Sequence, residues 1–303
     1  MDNFGTICGI AVTYHSAPYY RKNAEAILPQ VDHLIIIDNG GDAETKALLE
    51  SLKQTWPDKI TLHFNDGNVG LAAAQNIGIH KALAKNYQWV LLLDDDSCAD
   101  PMMIARMKEC YAELPFREQI GILAPCLWDL QGLHEMRFVT AAGKYWFHKQ
   151  AASKHAYLNV LVAIASGSLI KRQALLKTGL MRDDFFIDYI DTEYSLRLIS
   201  QGWQIIAVGT ARLYHRLGQK RTKWLLGLPV ITTNHNASRR YTIYRNRVRV
   251  WKLYWHSVPN YIIYDMIAVF YDLLRIIFFE TGAPAKLSNA LRGFYEGWKQ
   301  QQK

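Results

Sequence analysis

Cysteine is scarce in this 303-residue chain: there are four, none in a Cys-x-x-Cys pair and none beside a histidine cluster. This spacing argues against a structural zinc site and predicts free thiols in a reducing cytoplasm. A secretory leader is not expected either, since Met1-Asp2-Asn3 is not a basic n-region and the apolar stretch 7–12 is short. We therefore expect a cytoplasmic protein.

Long apolar runs without charges are also lacking. The most apolar stretch, 261–279, is interrupted by Asp265, Asp272 and Arg275, whereas a membrane-spanning helix needs about 20 residues with few or no charges. We predict an amphipathic helix that lies on a membrane or packs on the domain. Basic and aromatic residues alternate in the preceding stretch, 239–255, which is either a solvated face or a surface for anionic lipid or a lipid-diphosphate acceptor.

No Gly-x-Gly-x-x-Gly motif marks the helix predicted after residue 70, which disfavours a dinucleotide-binding fold. The composition is that of a globular protein, with 50% hydrophobic and 20% charged residues, and it excludes a disordered tail. Lys and Arg number 35 against 27 Asp and Glu, a net charge of +8. This excess indicates an anionic partner: a nucleotide, a nucleic acid or an acidic membrane surface.

Short apolar runs alternate with helical stretches through the first half of the chain. The predicted strands are 7–12, 33–37, 60–64, 88–93, 121–125 and 163–171. The predicted helices are one that starts after Pro18, 43–55 and 71–84, and a loop or hairpin is expected over 143–157. Continuous apolar strands separated by helices are typical of a parallel sheet covered on both faces. Ligands of such sheets bind beyond the carboxyl ends of the strands.

Three consecutive carboxylates, Asp94 to Asp96, directly follow the buried strand 88–93. They repel one another, and a hard divalent cation such as Mg²⁺ or Mn²⁺, arriving with a diphosphate, would neutralise them. The alternative is an acidic, solvated start of the next helix, capped by Ser97 or by Asp100-Pro101.

Two further segments have both a functional and a structural interpretation. Asp38, in the turn Asp38-Asn39-Gly40-Gly41, is suited to accept the ring N–H of uracil or thymine, but Asn and Gly also form ordinary turns. The segment from Asn68 to Gly78 combines small residues with a helix N-terminus that favours a nearby phosphate, or it is a tightly packed core helix.

Acids lie among aromatic and aliphatic residues in the segment 185–197. A carboxylate in such surroundings can act as a general base, although acids are also common at helix N-termini. Within this segment Glu193 and Arg197 are four residues apart and can pair on a helix. His215 follows another predicted strand and would be a metal ligand if it lies near the acidic cluster.

Taken in order, these motifs resemble the family 2 glycosyltransferases, and within them the bacterial rhamnosyltransferase branch that uses dTDP-L-rhamnose. The likeness extends from about residue 7 to 246. The matching motifs are Val12-Thr13-Tyr14, Ile37-Asp38-Asn39, Asn68-x-Gly70, Gln75-Asn76-x-Gly78, Leu93 to Ser97, Ser166-Gly167-Ser168, Phe186 to Glu193 with Arg197, His215 with Gly218, and Tyr244-Arg245-Asn246.

The resemblance implies an α/β GT-A fold, Rossmann-like, with a mostly parallel central sheet and helices on both faces. It implies a catalytic domain over 1–225, with the nucleotide-sugar site in its first half and the acceptor site in its second. Residues 226–303 would form a helical, aromatic and basic C-terminal region that contacts a membrane surface or a second copy of the chain.

The resemblance also implies a role for each site residue. Asp191 would be the catalytic base, in a register set by Arg197, with Asp188 as the competing choice. Asp96 and His215 would hold Mg²⁺ or Mn²⁺. The residues implied to bind the nucleotide sugar are Thr13, Tyr14, Asp38, Asn68, Gly70, Asn76, Asp94 and Asp95. Glu193, Arg197, Tyr244, Arg245 and Asn246 are further candidates.

The implied activity is an inverting, metal-dependent transfer of L-rhamnose to a hydroxyl of a cell-surface polysaccharide or lipid-linked acceptor. The enzyme would act on the cytoplasmic face of the bacterial membrane as a peripheral protein, and homodimers are an open expectation. The alternatives are a family member that uses a UDP-sugar, a sugar nucleotidyltransferase, and a non-enzymatic nucleic-acid-binding protein. Adjacent aspartates oppose a polyanion, so we expect no nucleic-acid partner.

Overall fold

The structure, a computed structural model, describes residues 4–129, 134–215, 221–225, 228–232 and 234–300. The strands are β1 (Ile7–Thr13), β2 (His33–Asp38), β3 (Ile60–Phe64), β4 (Trp89–Asp94), β5 (Ser97–Ala99), β6 (Ile120–Asp129), β7 (Phe138–Ala141), β8 (Phe147–Gln150), β9 (Tyr157–Asn159), β10 (Leu169–Lys171), β11 (Gln204–His215), β12 (Arg221–Leu225) and β13 (Leu228–Thr232). The helices are α1 (Ala17–Ile27), α2 (Ala43–Thr55), α3 (Leu71–Ala84), α4 (Met103–Glu113), α5 (Arg172–Thr178), α6 (Ile190–Ser200), α7 (Ala237–Tyr254), α8 (Pro259–Phe279) and α9 (Ala283–Lys299).

The main sheet has the strand order β3-β2-β1-β4-β10-β6-β11-β5, and β9 pairs with β11 outside this series. Strands β1 to β4 are parallel to one another, and β11 is parallel to β6. The antiparallel strand β10 lies between β4 and β6. All seven residues of β1 are buried, which requires cover on both faces of the sheet and explains the continuous apolar runs in the sequence.

The predicted elements of the first half agree closely with the structure. Helices α2 and α3 have the predicted bounds, and the side chain of Asp42 caps α2 by accepting a hydrogen bond from the backbone N–H of Thr45 at 2.8 Å. The loop or hairpin predicted over 143–157 includes strand β8, which pairs with β7, so a hairpin is formed in its first part.

The strand predicted over 163–171 is wrong in its first part, because only Leu169–Lys171 is extended and paired. Gly167 has a φ of +81°, a conformation that residues with a Cβ rarely adopt. The backbone N–H of Ser168 also closes a turn onto the carbonyl of Ala165. The apolar composition of this segment reflects burial in a turn rather than in a strand.

Strand β4 positions the acidic cluster because both of its ends are held. At its start, the ring of Trp89 stacks on Phe4 at 4.6 Å between centroids, and its indole N–H donates to the carbonyl of Phe4 at 2.8 Å. At its end, Asp94 is paired in register with Val12 of β1. The acids therefore follow a rigid, buried strand.

The chain divides into two compact units. The first comprises residues 1–140, 149–186 and 190–216, and the second comprises 141–148, 187–189 and 217–303. The second unit contains α7, α8 and α9, so the predicted helical C-terminal region is confirmed. The boundary predicted at 225 stays a prediction. None of the helices in the described stretches is long and apolar enough to cross a membrane.

Candidate active site

The carboxylates of Asp94 and Asp96 and the imidazole of His215 form a cluster in the first unit. One ligand atom from each residue lies within 4.8 Å of the other two. Asp94 ends β4 and His215 ends β11, and β11 pairs with β5 so that His215 lies opposite Ser97. The sheet thus brings together residues that are 119 to 121 positions apart in sequence.

The electrostatics of this cluster favour a bound cation. Burial above all, and then the neighbouring carboxylates of Asp96, Asp95 and Asp191 in that order, together raise the pKa of Asp94 to about 8. Two carboxylates and one imidazole are a donor set that Mn²⁺ accepts, and Mg²⁺ accepts the carboxylates together with substrate phosphate oxygens. The residues present therefore fit a divalent metal, which would relieve the repulsion.

Two serines of the sequence motifs, for which no part in the metal site was predicted, support the histidine. Ser97 Oγ lies 2.6 Å from Nδ1 of His215, and the hydroxyl of Ser166 donates to Ser97 Oγ at 2.7 Å. The backbone N–H of Asp94 donates to Ser166 Oγ at 3.3 Å. These bonds connect the two ends of the cluster and orient the imidazole.

Asp95 is bound to the loop between β1 and α1, not to the cluster itself. Its Oδ2 accepts hydrogen bonds from the hydroxyl of Ser16 and, at 3.4 Å, from the backbone N–H of Tyr14. Burial raises the pKa of Asp95, whereas the bond from Ser16 lowers it. The side chain of Asn23 donates to the Asp95 carbonyl at 2.7 Å. Sequence reasoning missed Ser16 and Asn23, since local patterns identify Ser16 only as a helix-start residue.

Asp38 lies fully buried at the end of β2. One of its oxygens accepts from the hydroxyl of Thr13 at 3.2 Å, and the other accepts from the backbone N–H of Gly41 at 3.1 Å. A Cβ on Gly41 would lie 2.4 Å from this carboxylate. In this conformation Asp38 organises the turn that follows β2, and its role toward a pyrimidine base stays a prediction.

The three predicted residues at the start of α3 organise backbone. Asn68 Oδ1 accepts from the side chain of Asn39 at 3.1 Å and from the backbone N–H of Gly70 at 2.9 Å. Gly70 has a φ of +90°, and a Cβ there would lie 2.6 Å from the ring of Phe186. The amide of Asn76 forms two hydrogen bonds with the backbone of residue 181, at 2.8 and 3.0 Å.

Asp191 and Asp188 differ in their surroundings. Asp191 begins α6 in the first unit, bonds the backbone N–H of Thr192 at 2.8 Å and is close enough to raise the pKa of Asp94. Asp188 belongs to the second unit, where its carboxylate accepts hydrogen bonds from Nε and Nη2 of Arg239 at 3.1 and 2.9 Å. Within the first unit, the structure places Asp191 close to the acidic cluster.

The predicted pair of Glu193 and Arg197 is present, at 2.9 Å, with Glu193 buried. Arg197 also donates to the carbonyls of Thr178 and Leu180 at 3.0 and 2.7 Å. This pair anchors the chain that precedes α6.

The motif in α7 supports the second unit. The hydroxyl of Tyr244 donates to Asp272 at 3.1 Å, and Arg245 donates to Asn246 Oδ1 at 3.1 Å. The amide of Asn246 donates to the carbonyls of residues 187 and 188, each at 3.0 Å, where Asp188 has a φ of +64°. Asn246 thereby holds a strained backbone segment. Gly218, predicted to act with His215, lies outside the described residues.

Solved structures share the fold of this chain. The TarS fragment 1–349 of S. aureus, in complex with UDP-GlcNAc, superposes with a TM-score of 0.64 at 11% identity, over 96% of this chain and 81% of that one. GalNAc-T7 with UDP, GalNAc and Mn²⁺ also gives 0.64, at 15% identity over 86% of this chain and half of its own. The predicted GT-A fold is confirmed.

The family follows from the sequence match. Residues 10–179 match the model described as glycosyl transferase family 2, so the chain belongs to the family 2 glycosyltransferases, and the predicted resemblance is confirmed. The dTDP-rhamnosyl transferase RfbF of Shigella flexneri is 26% identical over 79% of this chain and 78% of its own. The galactofuranosyltransferase GlfT1 of Mycolicibacterium smegmatis is 23% identical over 82% of this chain and 83% of its own.

Proposed function

We propose that this glycosyltransferase transfers L-rhamnose from dTDP-L-rhamnose to a hydroxyl group of a glycan or lipid-linked acceptor, with inversion at the anomeric carbon. The observation that carries the chemistry is the cluster of Asp94, Asp96 and His215 with Asp191 beside it. An electrophile held at the cluster and a base next to it are the two parts that a direct displacement requires.

Asp96 and His215 would hold the metal, with Asp94 as a third ligand and Asp95 close to the donor sugar. Mn²⁺ or Mg²⁺ bound there supplies Lewis-acid stabilisation of the charge that develops on the departing diphosphate. Ser97 and Ser166 keep the imidazole of His215 oriented toward this site. Thr13, Tyr14 and Asp38 would line the nucleoside part of the donor.

Asp191 is the proposed base that removes the proton from the acceptor hydroxyl. It lies near Asp94, while the carboxylate of Asp188 is engaged by Arg239. Both oxygens of Asp188 already accept hydrogen bonds from Arg239, so this carboxylate is less available to an acceptor hydroxyl. One base and an in-line attack invert the anomeric centre with no covalent intermediate, in contrast to retaining glycosidases, which use two carboxylates.

The identity of the sugar is supported by likeness to the Shigella dTDP-rhamnosyl transferase. The mycobacterial galactofuranosyltransferases support a second donor, since their identity to this chain is 23% to 25% over a similar length. TarS and GalNAc-T7, solved with UDP-GlcNAc and with UDP, share the fold of this chain at 11% and 15% identity, which does not identify its donor sugar. The donor must therefore be established by binding.

The proposed acceptor is a polysaccharide or lipid-linked sugar at the cytoplasmic face of a bacterial membrane, with the enzyme bound peripherally. A homodimer is a further proposal. The surplus of cationic residues, +8 over the chain, supports an anionic surface as partner.

Calorimetric titration of the full chain with dTDP-L-rhamnose tests the donor, with UDP-galactofuranose, UDP-GlcNAc and GDP-mannose as comparators. Each titration is run with Mn²⁺ and with EDTA, on the wild type, on Asp96→Ala and on the control Asp58→Ala, an exposed aspartate before β3. We expect metal-dependent, dTDP-selective binding that Asp96→Ala abolishes and Asp58→Ala preserves. Selective binding of another donor would replace rhamnose, and a folded protein that binds none would contradict the proposal.

A further inference from the structure

Helix α8 buries its two acids and exposes large apolar side chains. Its acids Asp265 and Asp272 are only 3% and 7% exposed. The outward side chains are large and apolar, and Phe270 and Phe278 reach 70% and 68% exposure. The complete outward set is Met266, Ile267, Phe270, Tyr271, Leu274, Ile277 and Phe278. Soluble proteins normally orient an amphipathic helix the other way.

Arginines of α7 hold this orientation. Arg240 donates to Asp272 at 2.9 Å and to Glu280 at 2.7 Å, with all three side chains buried. Arg247 pairs with Asp265 at 3.2 Å. A rotation of α8 that buried the phenylalanines would leave buried arginines without their partners, which is costly. The exposed apolar face is thus a fixed property of the second unit.

Helix α9 repeats this arrangement. It packs on α7 through small residues: a Cβ on Gly293 would lie 2.2 Å from the carbonyl oxygen of Tyr241, and one on Gly297 would lie 2.5 Å from that of Arg245. Bulky residues away from these glycines are exposed, namely Leu291, Tyr295 and Trp298. Exposed apolar patches of this kind mark interaction sites.

Lysine side chains lie beside aromatic rings at the edges of the exposed apolar faces of α8 and α9. Lys299 lies 4.8 Å from the ring centroid of Tyr295, and Lys252 lies 6.0 Å from that of Trp298. The tip of the β7–β8 hairpin, which belongs to the same unit and contacts α8 through Asn260, exposes Trp146 at 74% with Lys144 nearby. Amphipathic aromatic rings and long basic side chains are the groups that favour the bilayer–water interface.

Charge selects among the possible occupants of this surface. Residues 234–300 contain ten lysines and arginines against four acids. Three of those acids are buried together with Arg240, Arg247 and Lys286, which leaves seven cations and Glu296 at least partly exposed. Glu296 pairs with Arg292 at 3.0 Å. A second copy bound face to face would bring like charges together, which opposes association. An anionic surface with an apolar interior matches both properties.

We infer that the outward faces of α8 and α9 bind a bilayer surface rich in anionic lipid headgroups, with the helices lying in the interface and not crossing it. This inference gives a structural basis to the peripheral membrane contact and rests on that part of the proposed function. Apolar side chains enter the acyl boundary, and the cations remain at headgroup level.

Flotation of the full chain with phosphatidylcholine vesicles, with and without phosphatidylglycerol, tests the inference. The double variant Phe270→Ser/Phe278→Ser removes apolar area, and Lys299→Gln removes one cation. Leu176→Ser is the control, since Leu176 is 57% exposed in the first unit. We expect binding to anionic vesicles that salt weakens, a loss of at least tenfold in the double variant and about fivefold in Lys299→Gln, and no change in Leu176→Ser.

Donor titration and thermal unfolding on the same preparations separate the possible failures. Donor binding without flotation would overturn the inference and leave the enzyme assignment intact, whereas flotation without donor binding would do the opposite. Light scattering tests whether a second copy of the chain occupies this face. If the wild type is a dimer without lipid and the double variant is a monomer, the face is a dimer interface and the inference is overturned. Equal loss of flotation in Leu176→Ser would also overturn the inference.

Discussion

The hydroxyl oxygen of Ser97 lies 2.6 Å from Nδ1 of His215, while Asp96 Oδ1 approaches the same nitrogen at 3.3 Å. A hydrogen on Nδ1 that is donated to Ser97 Oγ leaves the lone pair of Nε2 available to a metal. Histidines that bind metals usually have one ring nitrogen fixed in this way. Ser97 is therefore a positioning residue for the proposed metal site.

Replacement of Ser97 by Ala should lower the affinity for Mn²⁺ by roughly 10- to 100-fold, because the imidazole loses its orienting partner. Calorimetric titration with Mn²⁺ in the presence of the donor measures the effect. The control is Ser200→Ala, whose hydroxyl bonds the Arg197 carbonyl at the end of α6. An unchanged affinity in Ser97→Ala would show that Ser97 has no part in metal binding.

Asp191→Asn should lower kcat by roughly 10² to 10⁴-fold and leave the KM for the donor nearly unchanged, since a general base acts in the transition state. Asp188→Asn should change kcat less than about fivefold, because the amide oxygen still accepts from Arg239. Steady-state kinetics with a defined acceptor compares the two variants. A reversed order of the two losses would identify Asp188 as the base.

Arg197→Ala should destabilise the fold by about 3–5 kcal/mol, because it leaves Glu193 buried without its cation. Urea unfolding measures the change. The matched control is the exposed pair of Arg21 and Glu25, which has the same spacing on α1 at 3.5 Å. Arg21→Ala should cost less than about 1 kcal/mol. Similar losses in the two variants would argue against burial as the cause.

Acid should destabilise the protein through His235. Burial lowers its pKa to about 4 in the folded state, with contributions from Arg239 and Arg240, whereas the unfolded value is about 6.5. The unfolded state therefore binds the proton first, and stability is lost as pH falls from about 6.5 to 4, by an amount on the order of 2 kcal/mol.

Urea unfolding at a series of pH values measures this slope. His235→Gln should flatten it between pH 6.5 and 4, while the exposed His256→Gln should leave it in place. A slope that persists in His235→Gln would assign the acid sensitivity to other groups.

Local sequence patterns were sufficient for the elements from β1 to β4, whereas β5 and α4 were not predicted. The apolar runs of β1 to β4 and the bounds of α2 and α3 could be predicted, because buried parallel strands and capped helices have local signatures. The acids after β4 could be placed at the ligand-binding edge for the same reason. The family resemblance supplied the catalytic, metal-binding and donor-binding roles of the individual residues.

The tertiary structure decided which distant residues meet. It brought His215 to Asp96, and it placed Asp191 near Asp94 while it engaged Asp188 with Arg239. No local pattern contains these relations, because the partners lie 51 to 119 positions apart in sequence, and it is the pairing of β11 with β5 that brings His215 to Asp96.

The orientation of α8 separates most clearly what the sequence determined from what the tertiary structure decided. The sequence determined that one side of this helix is apolar and that the other carries Asp265 and Asp272. Only the packing on α7 decided that the charged side faces inward, since Arg240 and Arg247 offer buried cations that the acids must neutralise. Periodicity reveals that a helix has two faces, and the partner element determines which of them is exposed.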